Sequence, residues 1–175
     1  MLRITGGSLR SRQILQPEGI RPTSEKVREA IFNVLAEQVP GARVLELFAG
    51  SGALGIEAYS RGAAMVVLVE HSLAVARTVH KSLEKLNTPE IKLSNVSAER
   101  FLAGTDDRFD LILLDPPYDY GINALTDLSR CLAEQGILVV EYSSRSEKPA
   151  WEDLDEVTTK RYGDTAVGFY RRRQD

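Results

Sequence analysis

From residue 43 onward the chain alternates. Short apolar runs of strand type occur at 43–48, 65–70, 91–96, 109–115 and 136–142, and helical patterns fill the gaps between them. This alternation is the strongest constraint on the fold. A strand, a crossover helix and the next parallel strand form a right-handed unit, and a succession of such units builds a mostly parallel sheet covered by helices. The longest helical stretch, 72–87, places Val75, Val79, Leu83 and Leu86 on one face behind Ser72 as N-cap. The end of the chain breaks the pattern. Residues 155–161 and 166–172 are strand candidates joined through Tyr162-Gly163-Asp164-Thr165, which leaves no room for a helix and predicts an antiparallel hairpin. The start differs as well. Residues 2–5 and 12–15 read as two short strands around Gly6-Gly7. Residues 24–38 read as a helix with Val27, Ala30, Ile31, Val34 and Leu35 on its apolar face, capped by Thr23 or Ser24 and ended by Pro40-Gly41. The expected architecture is α/β: a Rossmann-like, mostly parallel seven-stranded sheet with a C-terminal antiparallel hairpin. A small hairpin-plus-helix extension, residues 1–40, precedes a catalytic domain, residues 41–175.

Charge and special residues narrow the function classes. The net charge is −3, but residues 1–28 and 160–173 each carry +4, so the remainder carries −11. Two basic ends on an acidic chain offer a local phosphate-binding surface, although on charge alone ordinary solvated faces are the plainer reading. No apolar run approaches the roughly 20 residues of a membrane span, and MLRITGGSLR has no apolar signal core. Cys131 is the only cysteine, so the chain forms no internal disulfide. His71 and His80, on different faces of one helix and with one cysteine, do not make a metal set. No Ser-His-Asp arrangement or Walker loop is visible. The expectation is a cytoplasmic, metal-free monomer with no membrane partner.

Gly50-Ser51-Gly52-Ala53-Leu54-Gly55 fits G-x-G-x-x-G, and Glu70 follows Gly50 by 20 residues at the end of the next strand. That is the spacing of a dinucleotide site with an acid for the ribose, so a dehydrogenase is a genuine rival. A tight turn that needs glycine only for packing is the plainer reading. Glu46 argues against a pyrophosphate, because an acid at the mouth of the loop repels it. S-adenosylmethionine carries no phosphate; its sulfonium and α-ammonium both attract a carboxylate.

The fourth strand ends in Asp115-Pro116-Pro117-Tyr118. An exocyclic amine on a nucleobase is a poor nucleophile because its lone pair is delocalised into the ring. Acceptors on its N–H groups redirect that pair. Asp115 and the Pro116 carbonyl are such acceptors, the prolines hold the carbonyl in place, and Tyr118 offers a face on which a base can stack. A strand-ending turn rich in Pro and Asp is the structural alternative.

These residues resemble the [DN]-P-P-[YF] amino-methyltransferases. More narrowly, the chain is similar to the bacterial 16S rRNA guanine-N2 methyltransferase family (RsmD-like). The resemblance is carried by R-I-T-G-G-S-L-R-S-R, R-P-T-S-E-K-V-R-E-A-I-F-N-V-L, L-E-L-F-A-G-S-G-A-L-G-I-E-A-Y-S-R-G-A, V-E-H, D-P-P-Y and Y-G-D-T-A-V-G-F-Y-R. It implies an S-adenosylmethionine-dependent methyltransferase fold, S-adenosyl-L-methionine as donor, and a guanine N2 in 16S rRNA, free or in an assembling small subunit, as acceptor. It implies that Asp115, Pro116, Pro117 and Tyr118 hold the target base. Glu46, Phe48, Ala49, Gly50, Ser51, Gly52, Glu70 and His71 would line the cofactor, with Thr23 closing over it. Arg3, Arg10, Arg12 and Arg21 would contact RNA. Where the family usually carries Asp-Ala after the third strand this chain has Ser97-Ala98, so Ser97 would meet the adenine without a charge, or Glu99 would substitute. The alternatives are a DNA or other RNA amino-methyltransferase with the same clamp, and a silent RNA-binding relative.

Overall fold

The computed structural model describes residues 1–175. Strands β1 (Leu2–Arg3) and β2 (Gln13–Ile14) pair antiparallel and are followed by α1 (Glu25–Val34). The alternating region then gives β3 (Arg43–Leu47), α2 (Ala53–Ser60), β4 (Met65–Val69), α3 (Leu73–Leu86), β5 (Ile91–Ser94), α4 (Ala98–Gly104) and β6 (Phe109–Leu114). A short α5 (Leu128–Cys131), β7 (Leu132–Ser143), β8 (Leu154–Tyr162) and β9 (Thr165–Arg172) complete it. The sheet has seven strands in the order β5-β4-β3-β6-β7-β9-β8. Its first five strands are parallel, and β9 and β8 join antiparallel.

The expected elements are present, with ends set by local chemistry. Ser24 and Ser72 cap α1 and α3, accepting from the Val27 and Val75 N–H groups. α1 stops at Val34 rather than running to residue 38, because Ala36, Glu37 and Gln38 have no core to face and Pro40 cannot donate. The β1–β2 ladder is shorter than 2–5 and 12–15 because the Thr5 and Gly6 amides turn away from it to Glu57.

Strand alternation sorts the core into two layers. Val44, Val66, Leu68, Leu111, Leu113 and Val139 face one side; Leu45, Leu47, Val69, Ile112, Leu114 and Val140 face the other. The first layer also contains Ile4, Ile14, Ile31, Phe32 and Leu35, so residues 1–40 share a continuous core with the sheet. A buried charge cluster reinforces that junction. Glu57 of α2 accepts from the Thr5 N–H (2.9 Å), the Gly6 N–H (3.0 Å) and Arg61 Nε (3.0 Å). Arg28 Nε of α1 lies 3.2 Å from Glu57, in line for charge attraction although out of line for a hydrogen bond. Cys131 is buried in the second layer. Trp151 lies edge-on to Tyr170 at 5.4 Å and donates to the Leu125 carbonyl.

Candidate active site

The register of the parallel strands assembles the site. Glu46 pairs with Leu68 and Leu113, and Leu113 pairs with Val139, so these four occupy one row. Two residues further on, period-two alternation puts Glu70, Asp115 and Glu141 on the same face, at the carboxyl ends of three strands. Glu46 stands one row behind them. Four acids thus converge on the face that also receives α1 and α2, at the place where an open α/β sheet binds ligands.

The glycine loop wraps this row. Phe48 enters it with φ 56°, an uncommon left-handed conformation for a bulky residue. Its ring lies 4.8 Å from Tyr120, edge to face. Gly52 caps α2 at φ 79°. Gly55 is required by close approach, since a Cβ there would stand 2.4 Å from Leu68 and 2.8 Å from Glu46. Two of the loop amides, those of Gly50 and Gly55, are already engaged by the chain's own acids. Glu70 accepts from the Gly50 N–H (3.0 Å) and the Ser72 N–H (2.9 Å), and Glu46 accepts from the Gly55 N–H (2.7 Å). A pyrophosphate would find acids where it needs free donors.

A cavity of about 720 Å³ opens along the row. Glu46, Phe48, Ala49, Gly50, Ser51, Glu70 and His71 line it from the strand ends and the glycine loop. Asp115, Pro116, Pro117 and Tyr118 line it from the β6 end, and Arg21 and Thr23 from the segment before α1. Tyr118 is 59% exposed at the mouth. Gly52 does not line the cavity; it makes the turn into α2, and a Cβ there would stand 3.0 Å from Leu68. Ser97 and Ala98 are not brought to this cavity: Ser97 Oγ accepts from the Arg100 N–H as the cap of α4, and Ala98 is buried in the opposite layer. Nearby Glu99 accepts from the Tyr120 hydroxyl. Arg3, Arg10 and Arg12 are exposed on the N-terminal hairpin, outside the cavity. Arg3 pairs with Glu25 at 3.4 Å, and Arg12 donates to the Lys85 carbonyl.

Glu141 is the site residue that sequence reasoning missed. It sits in the apolar run I-L-V-V-E, and the available signal was an acid at the end of a buried strand, as at Asp115. Tyr162, Asp164 and Thr165 of the terminal hairpin also line the cavity. Thr23 has a position more specific than closure over the site: its hydroxyl lies 2.6 Å from Glu141 Oε2 and 3.2 Å from Asp115 Oδ2.

The electrostatics follow from crowding acids in a poorly hydrated place. Burial pushes the Glu46 carboxyl well above its usual range, against the opposing Gly55 N–H bond. Burial and then the charge of Glu141 push Asp115 up to about 8. Burial raises Glu141 too, against the Thr23 hydrogen bond and Arg21. Such a site fits a cationic ligand, which would let these groups ionise, and it opposes an anionic one. The sulfonium and ammonium of S-adenosylmethionine meet that requirement. No three His, Cys, Asp or Glu side chains are grouped so as to hold a metal ion.

The family described as conserved hypothetical protein 95 matches residues 2–171. The chain belongs to that family. The ribosomal RNA small subunit methyltransferase D of Escherichia coli, a relative of this conserved hypothetical protein 95 chain, is 40% identical over 147 residues, covering 80% of this chain and 74% of its own. A Bacillus subtilis protein named provisionally as an rRNA methyltransferase is 36% identical, covering 98% of this chain and 100% of its own. Among solved structures, an Escherichia coli chain described provisionally as a methyltransferase superposes with a TM-score of 0.86 at 34% identity, covering 98% of this chain and 97% of that one. A hypothetical protein of Thermus thermophilus gives 0.86 at 26% identity, covering 98% and 99%. The RsmD-like resemblance and the Rossmann-like methyltransferase fold read from the sequence therefore hold.

Proposed function

We infer that the protein is an S-adenosylmethionine-dependent methyltransferase acting on small-subunit rRNA, and we propose the exocyclic N2 of a guanine in 16S rRNA as the acceptor. The observation that carries the reading is the row Glu70, Asp115 and Glu141 beside a glycine loop whose Gly50 and Gly55 amides are already engaged by acids. S-adenosylmethionine supplies an electrophilic methyl group. The protein orients what attacks it. Asp115 and the Pro116 carbonyl accept hydrogen bonds from the amine and turn its lone pair out of the ring plane, and Tyr118 stacks on the base. Pro116 and Pro117 have no N–H to compete for the same acceptors and hold the carbonyl direction. Guanine suits a carboxylate beside a carbonyl better than adenine does, because its N1–H and N2–H groups are adjacent donors. The extension of residues 1–40 contributes Arg3, Arg10 and Arg12 to phosphate contacts, which orient the RNA without reading its sequence.

The test offers labelled S-adenosylmethionine with three acceptors: small subunits from cells lacking the enzyme, 16S rRNA stripped of protein, and duplex DNA. The modified nucleoside is then identified by mass spectrometry. The expected product is N2-methylguanosine from a ribosomal substrate and nothing from DNA. Methyladenine in DNA would retain the chemistry and overturn the substrate.

A further inference from the structure

Thr23 makes two contacts that one hydroxyl proton cannot satisfy alone. Its oxygen lies 2.6 Å from Glu141 Oε2 and 3.2 Å from Asp115 Oδ2, yet it has a single proton to donate. If both carboxyls were ionised, one contact would set a lone pair against a lone pair. Both are full two-centre hydrogen bonds only when one carboxyl carries a proton and donates it to the Thr23 oxygen, while Thr23 donates to the other. The three groups therefore share two protons, and moving both along the chain transfers one net proton between Asp115 and Glu141. Glu141 also belongs to the wall of a second cavity, about 380 Å³, which shares Pro116, Pro117 and Tyr118 with the first and is lined further by Tyr142, Ser143, Ser146 and Glu147.

We propose that Thr23 and Glu141 form a proton relay that takes the N–H proton of the methylated amine from Asp115 and releases it to water in the second cavity. This rests on the methyltransferase reading above. The accounting closes. The amine lone pair forms the N–C bond, and the S–C bond breaks with its pair left on sulfur. The N–H pair returns to nitrogen as its proton passes to the Asp115 carboxylate, which at that moment accepts from Thr23. Glu141 gives its own proton to water. The Asp115 proton then moves to the Thr23 oxygen as the Thr23 proton moves to Glu141, restoring the starting arrangement. Nothing beyond water is needed to accept the proton. The relay stands among charges that tune it: Glu46 from β3, Glu70 and His71 from the β4 end, Arg21 from the segment before α1, and Asp164 from the β8–β9 turn. Desolvation keeps a proton on the Asp115–Glu141 pair near neutral pH, in agreement with the proton count.

The test compares Thr23→Val, which keeps the shape and removes the hydroxyl, with Thr23→Ser, which restores the hydroxyl. On small subunits, Thr23→Val should lower kcat by about 100-fold, leave cofactor affinity and the KM for RNA near wild type, and flatten the rise of kcat with pH. Thr23→Ser should recover most of the rate. A Thr23→Val enzyme with the wild-type kcat and pH profile, or a Thr23→Ser enzyme as slow as Thr23→Val, would overturn the relay. A second readout needs no turnover. Infrared spectra of the protein alone at neutral pH should contain a protonated-carboxyl band that weakens in Glu141→Gln and in Asp115→Asn. An unchanged band in both variants overturns the shared proton. If the wild-type protein makes no methylguanosine, it is the functional reading that fails, and the infrared comparison still decides whether the proton is shared.

Discussion

Asp115 accepts a hydrogen bond from a nucleobase amine well only when ionised, whereas burial and Glu141 hold its titration near 8. The unfolded chain releases that proton near the ordinary value of 3.8. Between about pH 4 and pH 8 the native state keeps a proton that the unfolded state has lost, so this group makes stability fall as pH rises through that window. Asp115→Asn should flatten the decline, with the largest gain over wild type near pH 8 and little difference near pH 4. Denaturant unfolding across that range measures it, and parallel curves for the two proteins would contradict the assignment. The same reasoning predicts that Glu141→Gln, by removing the charge that helps raise Asp115, moves the rise of kcat with pH to lower pH, while loss of the relay group lowers the plateau. Asp115→Ala should reduce methyl transfer by at least about 100-fold while calorimetry finds cofactor binding retained. At this scale the sequence was only partly legible. Asp115 stood out because prolines and an aromatic follow it. Glu141 did not, because its partners are 26 and 118 residues away in the chain and only the β6–β7 register brings them to one level.

The elements were readable because each has its own pattern: continuous apolar runs for the buried parallel strands, a period of 3.6 for α1 and α3, and a Gly-Asp turn too short for a helix between β8 and β9. Their ends were less so, since they depend on tertiary partners, such as Glu57 drawing the Thr5 and Gly6 amides out of the β1–β2 ladder. That cluster yields its own prediction. Arg28→Met leaves Glu57 buried with only Arg61 opposite it, and removing one partner of a buried pair costs about 3–5 kcal/mol. Urea unfolding should record that loss, and Lys26→Met on the exposed face of the same helix should not reproduce it. Gly55→Ala tests how closely α2 seats on β4. The new methyl group meets Leu68 and Glu46, so cofactor affinity should drop more than global stability. Ser97 shows the opposite limit. Its position after β5 suggested an adenine contact, and the structure adds a second role, since its oxygen caps α4 by accepting from the Arg100 N–H.

The molecule as a whole separates its charges, with acids converging at the strand ends and arginines exposed on the N-terminal hairpin. Replacing Arg3, Arg10 and Arg12 with alanine together should weaken RNA binding and lower the slope of log affinity against log salt by about 2 for a single-stranded site. Cofactor binding should be untouched. The central claim concerns the other pole, namely that the row of buried acids is a site for a cation. Isothermal titration of S-adenosylmethionine in buffers of different ionisation enthalpy tests it most directly. The account predicts binding with net proton release near neutral pH, as Glu46 and the Asp115–Glu141 pair ionise against the ligand. It predicts less release with the demethylated product, which lacks the sulfonium charge, and no binding of NAD. Binding of S-adenosylmethionine without proton release, or binding of NAD, would contradict it.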